Sequence, residues 1–415
     1  MLATPADRQD WPVHDPKPPM LLDLLATLPA AQPLLARLDR DGPGIHVVGG
    51  AVRDLLLGGR PTDLDLVVEG DPATVIAALG GEIRAYDRFG TATVTADGFT
   101  YDVARARRET YAHPGALPDV APASLEEDLR RRDFTVNAIA VALTGPGAGE
   151  LQAVAHALED LDARRLRILH DRSFIDDPTR MLRLIRYATR LGFAIEPHTR
   201  ALLDPAALAT VSGARVGAEL RLLAREPDPV AALAGLRTAR LDQAIHPGFG
   251  LREQALTRRA LALLPPDGRP GRLVLAAAGR RLPRPELARL LEHLAFEAAD
   301  RDAIVAAAGQ SEALARSLSA AAKPSEIAAA AGDAGPELVA LAGALGPSRQ
   351  AREWLQKLRH VKLELDGRDL LAAGVPQGPS IGRALRAALA AKLDGRASGR
   401  EAELAEALEA VSSTG

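Results

Sequence analysis

Two aspartates, Asp63 and Asp65, stand one residue apart in the run TDLDLVV, residues 62–68. On a strand, side chains i and i+2 share a face, so the two carboxylates point into one site. Adjacent carboxylates repel unless a cation lies between them. Mg²⁺ takes hard oxygen ligands, often one or two carboxylates completed by substrate phosphates. Just upstream, HVVGG (46–50) runs into AVRDLLLG (51–58), which reads as a short strand, a glycine turn and a helix stopped by Gly58 and Gly59. Glycines at a helix start let backbone N–H groups approach a phosphate closely, which makes Gly49 and Gly50 a candidate phosphate seat. The chemistry this arrangement allows is phosphoryl or nucleotidyl transfer with two metal ions: one activates an attacking hydroxyl, the other steadies the departing pyrophosphate. An Asp-x-Asp alone is common on solvated strand ends; the glycine turn, the helix and the apolar flanks give it weight.

The elements that must position these residues are mixed up to about residue 150. TATVTADGFTYDVARAR (91–107) reads as a hairpin, two alternating strands around the turn dipeptide Asp97-Gly98. Beyond about residue 150 strand signals stop, and Leu/Ala/Arg-rich helical sequence continues, punctuated by Pro and Gly. The fold class expected is α+β, mostly α, with a small mixed-sheet head followed by helices. The Pro-rich stretch 1–20 reads as a loose arm without the apolar core of a signal peptide.

Composition narrows the classes. The chain has 415 residues, enough for two to four domains. It has no cysteine, which excludes disulfides, thiolate metal sites and cysteine nucleophiles and fits a cytoplasmic protein. No apolar run is long enough to span a membrane. The net charge of −3 is neutral on nucleic acid, but all except five of the 51 basic residues are Arg, whose planar fork suits phosphates and base edges. A GC-rich genome accounts for such an excess equally well. Residues 251–290 hold nine Arg against three acids, a face that could follow a phosphate backbone or simply be solvated.

Asp-x-Asp after Gly-Gly and a helix resembles the core motif of the DNA polymerase β nucleotidyltransferase superfamily. Two further stretches narrow the resemblance: RRDFTVNAIA (131–140) and DDPTRMLRLIRYATRLGFAIEP (176–197). With GGAVRDLLLG and TDLDLV they look like the bacterial-type (class II) tRNA nucleotidyltransferases and the closely similar poly(A) polymerases. The resemblance covers residues 45–225 and resumes at 366–395, similar to the tail module of one branch of that family; between them the likeness lies only in being helical.

The resemblance implies a nucleotidyltransferase head at 21–148, a helical neck at 149–235 that selects the nucleotide base, a helical body at 236–345 and a tail at 346–415 that grips tRNA. It implies two Mg²⁺ ions, ATP and CTP as substrates, and tRNA as acceptor, held at its 3′ end and its elbow by shape. It puts Asp177 and Arg180 on the base edge, an i, i+3 pair expected on one helical face. A carboxylate beside a guanidinium suits cytosine and adenine, whereas uracil and guanine present the opposite polarity. Arg183 and Arg186 continue that face toward triphosphate or primer. Gly50 and Arg53 would meet the triphosphate, and Asp54 would pair structurally. Arg131 or Arg132 would contact phosphate or sugar, Asp133 would orient an arginine, Asn137 would bond the ribose, and Phe134 would be core. Asp102, on the strand of TYDVARAR, is the candidate third metal carboxylate. SGARVGAELRLL (212–223) resembles a further motif that usually begins Glu-Arg; Ala214 replaces the Glu here, while Arg215 and Glu219 remain.

Members of the family add CCA, CC or A. The CC-adding members typically have a shortened loop before the Arg-Arg-Asp motif, and the loop here (108–130) is long. Its YAHPGALP run is similar to A-adding members. Full CCA addition is the leading expectation. A-only addition, which would need a separate CC-adding enzyme on the same tRNA, is the alternative, with poly(A) polymerase behind it. Rivals of other classes are an inactive RNA-binding protein and a transferase acting on small alcohols. The intact carboxylates and the long Arg-rich helical region argue against both. Histidines 246, 293 and 360 are scattered, so no His-Asp phosphohydrolase activity is expected.

Overall fold

Short β-branched and apolar runs build the sheet of the N-terminal part. Strand β1 (Ile45–Val48) is buried at every position, while β2 (Asp63–Val68) alternates at its start, with Leu64 and Leu66 buried and Asp63 and Asp65 exposed. Strands β3 (Glu82–Tyr86), β4 (Thr91–Ala96) and β5 (Phe99–Arg105) follow; β6 (Arg107–Thr110) and β7 (Asp119–Pro122) pair with each other as a separate ribbon; β8 (Ile139–Ala142) and β9 (Leu151–Ala153) return to the main sheet. The main sheet has seven strands in the order β3-β4-β5-β2-β1-β8-β9. All neighbours are antiparallel except β2 and β5, whose parallel register sets Asp65 beside Asp102 and Asp63 beside Thr100.

The computed structural model describes residues 18–39, 42–86 and 91–412, and the chain divides into two units, residues 1–211 and 212–415. The hairpin expected around Asp97-Gly98 is β4–β5; φ of 53° and 81° at these two residues is the double left-handed turn that matches the strand twist. Helix Gly50–Leu56 buries Ala51, Val52, Leu55 and Leu56. Val48, Val67 and Ala140 of the sheet form one apolar cluster with Ala106, Leu125, Leu129 and Ala138.

Strand β3, EIRAY, alternates polar and apolar residues and pairs antiparallel with β4. Two expectations need correction. Strands do not stop at about residue 150, since β9 and a parallel two-residue pair, Arg165–Leu166 with Ala194–Ile195, follow. The expected arm at 1–20 ends in helix, which begins at Pro18; its remainder lies outside the described residues. The division at 211/212 falls inside the segment expected to be the neck.

The second unit is helical throughout its described residues. Its longest helix, Ala298–Ala320, packs on Pro336–Ala344, a helix buried along almost its whole length. In its last part, helices Gly367–Ala372, Pro379–Leu393 and Arg400–Ser412 close over Leu370, Val375, Ala384, Ala388 and Ala407. Glu403 is buried there, accepts from the Glu364 N–H at 2.7 Å and pairs with Lys392 at 2.5 Å. No helix among the described residues is long and apolar enough to cross a membrane.

Candidate functional site

The glycine turn after β1 is where the site begins. Gly49 has φ +68°, and a Cβ there would lie 2.8 Å from Nη1 of Arg132. Only glycine allows both the backbone conformation and the close approach. The turn borders a pocket of about 310 Å³ in the first unit. Of the residues singled out in the sequence, Gly49, Gly50, Asp65, Arg131, Arg132, Asp133, Asn137, Asp177, Arg180 and Arg183 line it. Asp63, Asp102, Arg53 and Arg186 do not.

Asp63 and Asp65 share the exposed face of β2, and Asp102 stands beside Asp65 across the parallel pair. Crowding by surrounding protein pushes the Asp65 carboxyl above its usual range; Arg132 pulls it back, Asp102 and Asp63 add to the rise, and Arg53 opposes it. This is a locus that a cation would relieve. Asp102 accepts from the Thr93 hydroxyl at 2.6 Å. Among the described residues no group of three or more His, Asp or Glu is drawn together closely enough to hold a metal by itself. A pair of carboxylates completed by substrate oxygens would suit Mg²⁺.

The other wall comes from the segment around Arg131. A capping box at Ser124 and Glu127 starts helix Leu125–Arg130. That helix carries Asp128, fully buried, which the sequence reading did not single out. Burial opposes its charge, yet Arg131 and Arg132 hold its carboxyl below the usual range. Arg131 reaches Asp128 at 2.7 Å and Glu109 at 2.8 Å, and Arg132 reaches Asp128 at 2.9 Å. Both arginines border the pocket from positions fixed by protein carboxylates.

Asp133 is buried and accepts from Arg183 Nε at 2.9 Å and from Asn137 Nδ2 at 2.9 Å. Asn137 in turn accepts from Arg53, which is 2% exposed and also paired with Asp54 at 2.8 Å. Arg53 is thus held by protein groups and is not among the residues that line the pocket. Burial alone would raise the Asp133 carboxyl; the charge of Arg183 and the bonds from Asn137 and Arg183 bring it down to about 2. A folded-state value below the ordinary 3.8 means stability that is present above that value and lost as pH falls toward about 2. At 1.36 kcal/mol per unit the stake is about 2 kcal/mol. In acid titrations followed by circular dichroism, the stability gap between the wild type and Asp133→Asn is expected to narrow by that amount between about pH 5 and pH 2. A constant gap would refute the linkage.

Asp177 is not on a helix, contrary to the one-face expectation. Pro178 follows it and disfavours helical backbone at the preceding residue; Asp177 is extended at φ −134°, and the helix starts at Thr179. Its Oδ1 accepts from the Thr179 N–H at 3.0 Å and from the Thr179 hydroxyl at 2.5 Å. Arg180 opens the helix, buried, and donates to Ser173 Oγ at 2.9 Å and to the Arg131 carbonyl at 2.7 Å. Turn and helix thus converge on one pocket by a different geometry from i, i+3 stacking. Arg186 is buried on the helix, 4.8 Å from the Tyr187 ring. Phe134 is fully buried.

Four lining residues were not anticipated: Glu109, Tyr111, Pro118 and Tyr187. The first three come from the β6–β7 ribbon and its connection, within the long loop noted in the sequence. The Tyr111 hydroxyl donates to Glu109 at 3.0 Å, and burial pushes it up to about 12. Beyond the ribbon, Gly115 donates its N–H to the Ile175 carbonyl at 3.1 Å, just ahead of Asp177. Tyr187 sits in the motif RLIRY, whose spacing from Arg183 was the available signal.

The family description "Poly A polymerase head domain" matches residues 45–167. The chain is 42% identical over 221 residues to an A-adding tRNA nucleotidyltransferase of Geobacter sulfurreducens, covering 51% of this chain and 25% of that protein. It is 42% identical over 212 residues to an A-adding tRNA nucleotidyltransferase of Halalkalibacterium halodurans, covering 48% and 50%. The chain thus spans only a quarter to a half of the length of these two. It is 36% identical over 395 residues to a CC-adding tRNA nucleotidyltransferase of Deinococcus radiodurans, covering 92% and 91%. Among solved structures it is similar to a CCA-adding enzyme in an apo form, with TM-score 0.78 and 26% identity, covering 94% and 96% of the two chains. A CCA-adding enzyme in complex with ATP gives TM-score 0.74 at 26% identity, covering 97% and 95%.

Proposed function

The chain belongs to the tRNA nucleotidyltransferase family, and from that premise we propose that it adds CCA to tRNA 3′ ends from CTP and ATP without a nucleic-acid template. The observation that carries the reading is the pocket itself. The glycine turn, Asp65 and the Asp177–Arg180 pair border one cavity of about 310 Å³.

In this reading the tRNA 3′-hydroxyl attacks the α-phosphorus; an O–P bond forms, the bond to the β-phosphate oxygen breaks, and pyrophosphate leaves. Asp63 and Asp65 would hold Mg²⁺, which when bound supplies Lewis acidity at the attacking hydroxyl and the departing phosphate. The Gly49–Gly50 turn lets the triphosphate approach the backbone. Arg131 and Arg132, fixed by Asp128, border it with positive charge. Asp177 accepts from the exocyclic amine of cytosine or adenine, and Arg180 donates to the neighbouring ring position. Asp102 acts through its charge on Asp65. The second unit would hold the rest of the tRNA by shape and backbone. A cysteine-free chain with this substrate is assigned to the cytoplasm.

The relatives divide over the nucleotide added, so the loop argues this point. The ribbon β6–β7 brings Glu109, Tyr111 and Pro118 to the pocket rim with Asp177 and Arg180, so the long loop is part of the pocket, and its length is what argues against addition of CC alone. The test uses three tRNA transcripts, ending before CCA, after C and after CC, each given Mg²⁺ with CTP, ATP or both. Growth of all three to a complete CCA end is expected. Growth of the CC-ended transcript alone, with ATP alone, would replace the proposal by A-only addition. Arrest at CC would overturn the argument from the loop.

A further inference from the structure

We propose that Tyr187 is a positioning residue that, through the face of its ring, ties Arg183 of the nucleotide pocket to three arginines that do not line it, Arg53, Arg186 and Arg190. The inference rests on the nucleotide-binding reading of that pocket and goes beyond it, since that reading gives Tyr187 no role although the residue lies within the stretch 176–197.

The ring has four guanidinium groups around it. Arg186 lies at 4.8 Å from its centroid, Arg53 at 5.4 Å, Arg183 at 5.7 Å and Arg190 at 6.0 Å. Arg183 and Arg190 reach it because positions four before and three after share a helical face. Arg53 comes from a different element, the helix after the glycine turn. The ring is itself fixed: Phe134, fully buried, meets it edge-on at 5.8 Å and 79°. Tyr187 also borders the pocket.

An ordinary core aromatic would be surrounded by apolar side chains. Here the neighbours are cations, and an aromatic face attracts a cation without cancelling its charge. Carboxylates also hold Arg53, through Asp54, and Arg183, through Asp133, so the part left to the ring is to hold the group together. It ties two ends of the site together. Arg53 is bonded to Asn137, Asn137 to Asp133, and Asp133 to Arg183, so Tyr187 closes a ring of contacts that runs from the glycine turn to the base-selecting helix.

The test measures binding of CTP and ATP to the full chain by calorimetry, and steady-state kinetics with tRNA. Tyr187→Leu is expected to raise Kd and KM for both nucleotides about tenfold, with kcat within about threefold and KM for tRNA unchanged. Tyr187→Phe, which keeps the face, is expected to match the wild type. Should Tyr187→Leu fold poorly by thermal melting, 3,4,5-trifluorophenylalanine at position 187 weakens the face at nearly the same volume, and it is expected to weaken nucleotide binding while leaving Tm in place. The proposal is overturned if the trifluoro variant binds nucleotide as the Phe variant does. It is equally overturned if Phe loses as much as Leu, or if kcat and both KM values shift together. A wild-type protein that binds neither nucleotide overturns the functional reading, and the proposal with it; a wild type that binds while the variants are unaffected overturns the proposal alone.

Discussion

Asp63→Ala is expected to reduce nucleotide incorporation by roughly 10³-fold or more and to leave tRNA affinity unchanged. Asp63 is the first residue of β2, exposed, on the same face as Asp65. The apolar partners that hold the strand, Leu64 and Leu66, lie on the other face. Removing an exposed carboxylate there costs little stability, within about 0.5 kcal/mol, so a loss of turnover cannot be assigned to unfolding. Asp65→Asn tests the same site from within the pocket. Its carboxyl carries the raised value, and the substitution removes the charge while preserving shape. Asp102→Ala is expected to cost much less, because Asp102 is engaged with Thr93 and acts on Asp65 by charge. The measurement is single-turnover addition of labelled ATP or CTP, with tRNA binding by filter retention alongside. Wild-type turnover in Asp63→Ala would sink the assignment of the carboxylate pair. Equal losses in Asp63→Ala and Asp102→Ala would instead call for a site of three carboxylates.

What could be read in the sequence was local. The Asp97-Gly98 turn and the Asp63–Asp65 alternation are each properties of two or three consecutive residues, and the structure has both. Gly49 was readable as a turn, while its reason, the guanidinium of Arg132 where a Cβ would stand, comes from 83 residues further along the chain. Asp128 and Glu109 escaped notice for the same cause: each is meaningful only through Arg131, which gathers a helix and a ribbon into one charged cluster. Arg53 was read as meeting a phosphate, and its bonds to Asn137 and Asp54 could not be read beside that, because an arginine next to a glycine turn fits either place and Asn137 lies across the fold. The Asp177 error was avoidable, since the following proline carried the warning in the sequence.

That error sharpens the largest effect on selectivity. Asp177→Ala and Arg180→Ala are expected to relax the choice among nucleotides more than they weaken tRNA binding. An aspartate on a helix face would sway with a flexible side chain. Asp177 sits in a turn, with Oδ1 bound to the N–H and hydroxyl of Thr179. Arg180 is buried and anchored to Ser173 and to the Arg131 carbonyl. An acceptor and a donor fixed this way reject a base by polarity: uracil and guanine bring a carbonyl to the carboxylate and an N–H to the guanidinium. Each unmatched buried group costs about 1–3 kcal/mol, so loss of one reader is expected to lower the kcat/KM ratios of CTP over UTP and of ATP over GTP by roughly 5–150-fold. Asp177→Ala loses the turn contact as well, so Asp177→Asn, which retains an oxygen for Thr179 and adds a donor, separates the two causes. It should favour UTP and GTP relative to the wild type, a gain that mere loosening of the turn does not produce. Ratios unchanged in Asp177→Asn, with tRNA binding and Tm intact, would remove Asp177 from the base edge and leave it as the residue that starts the helix.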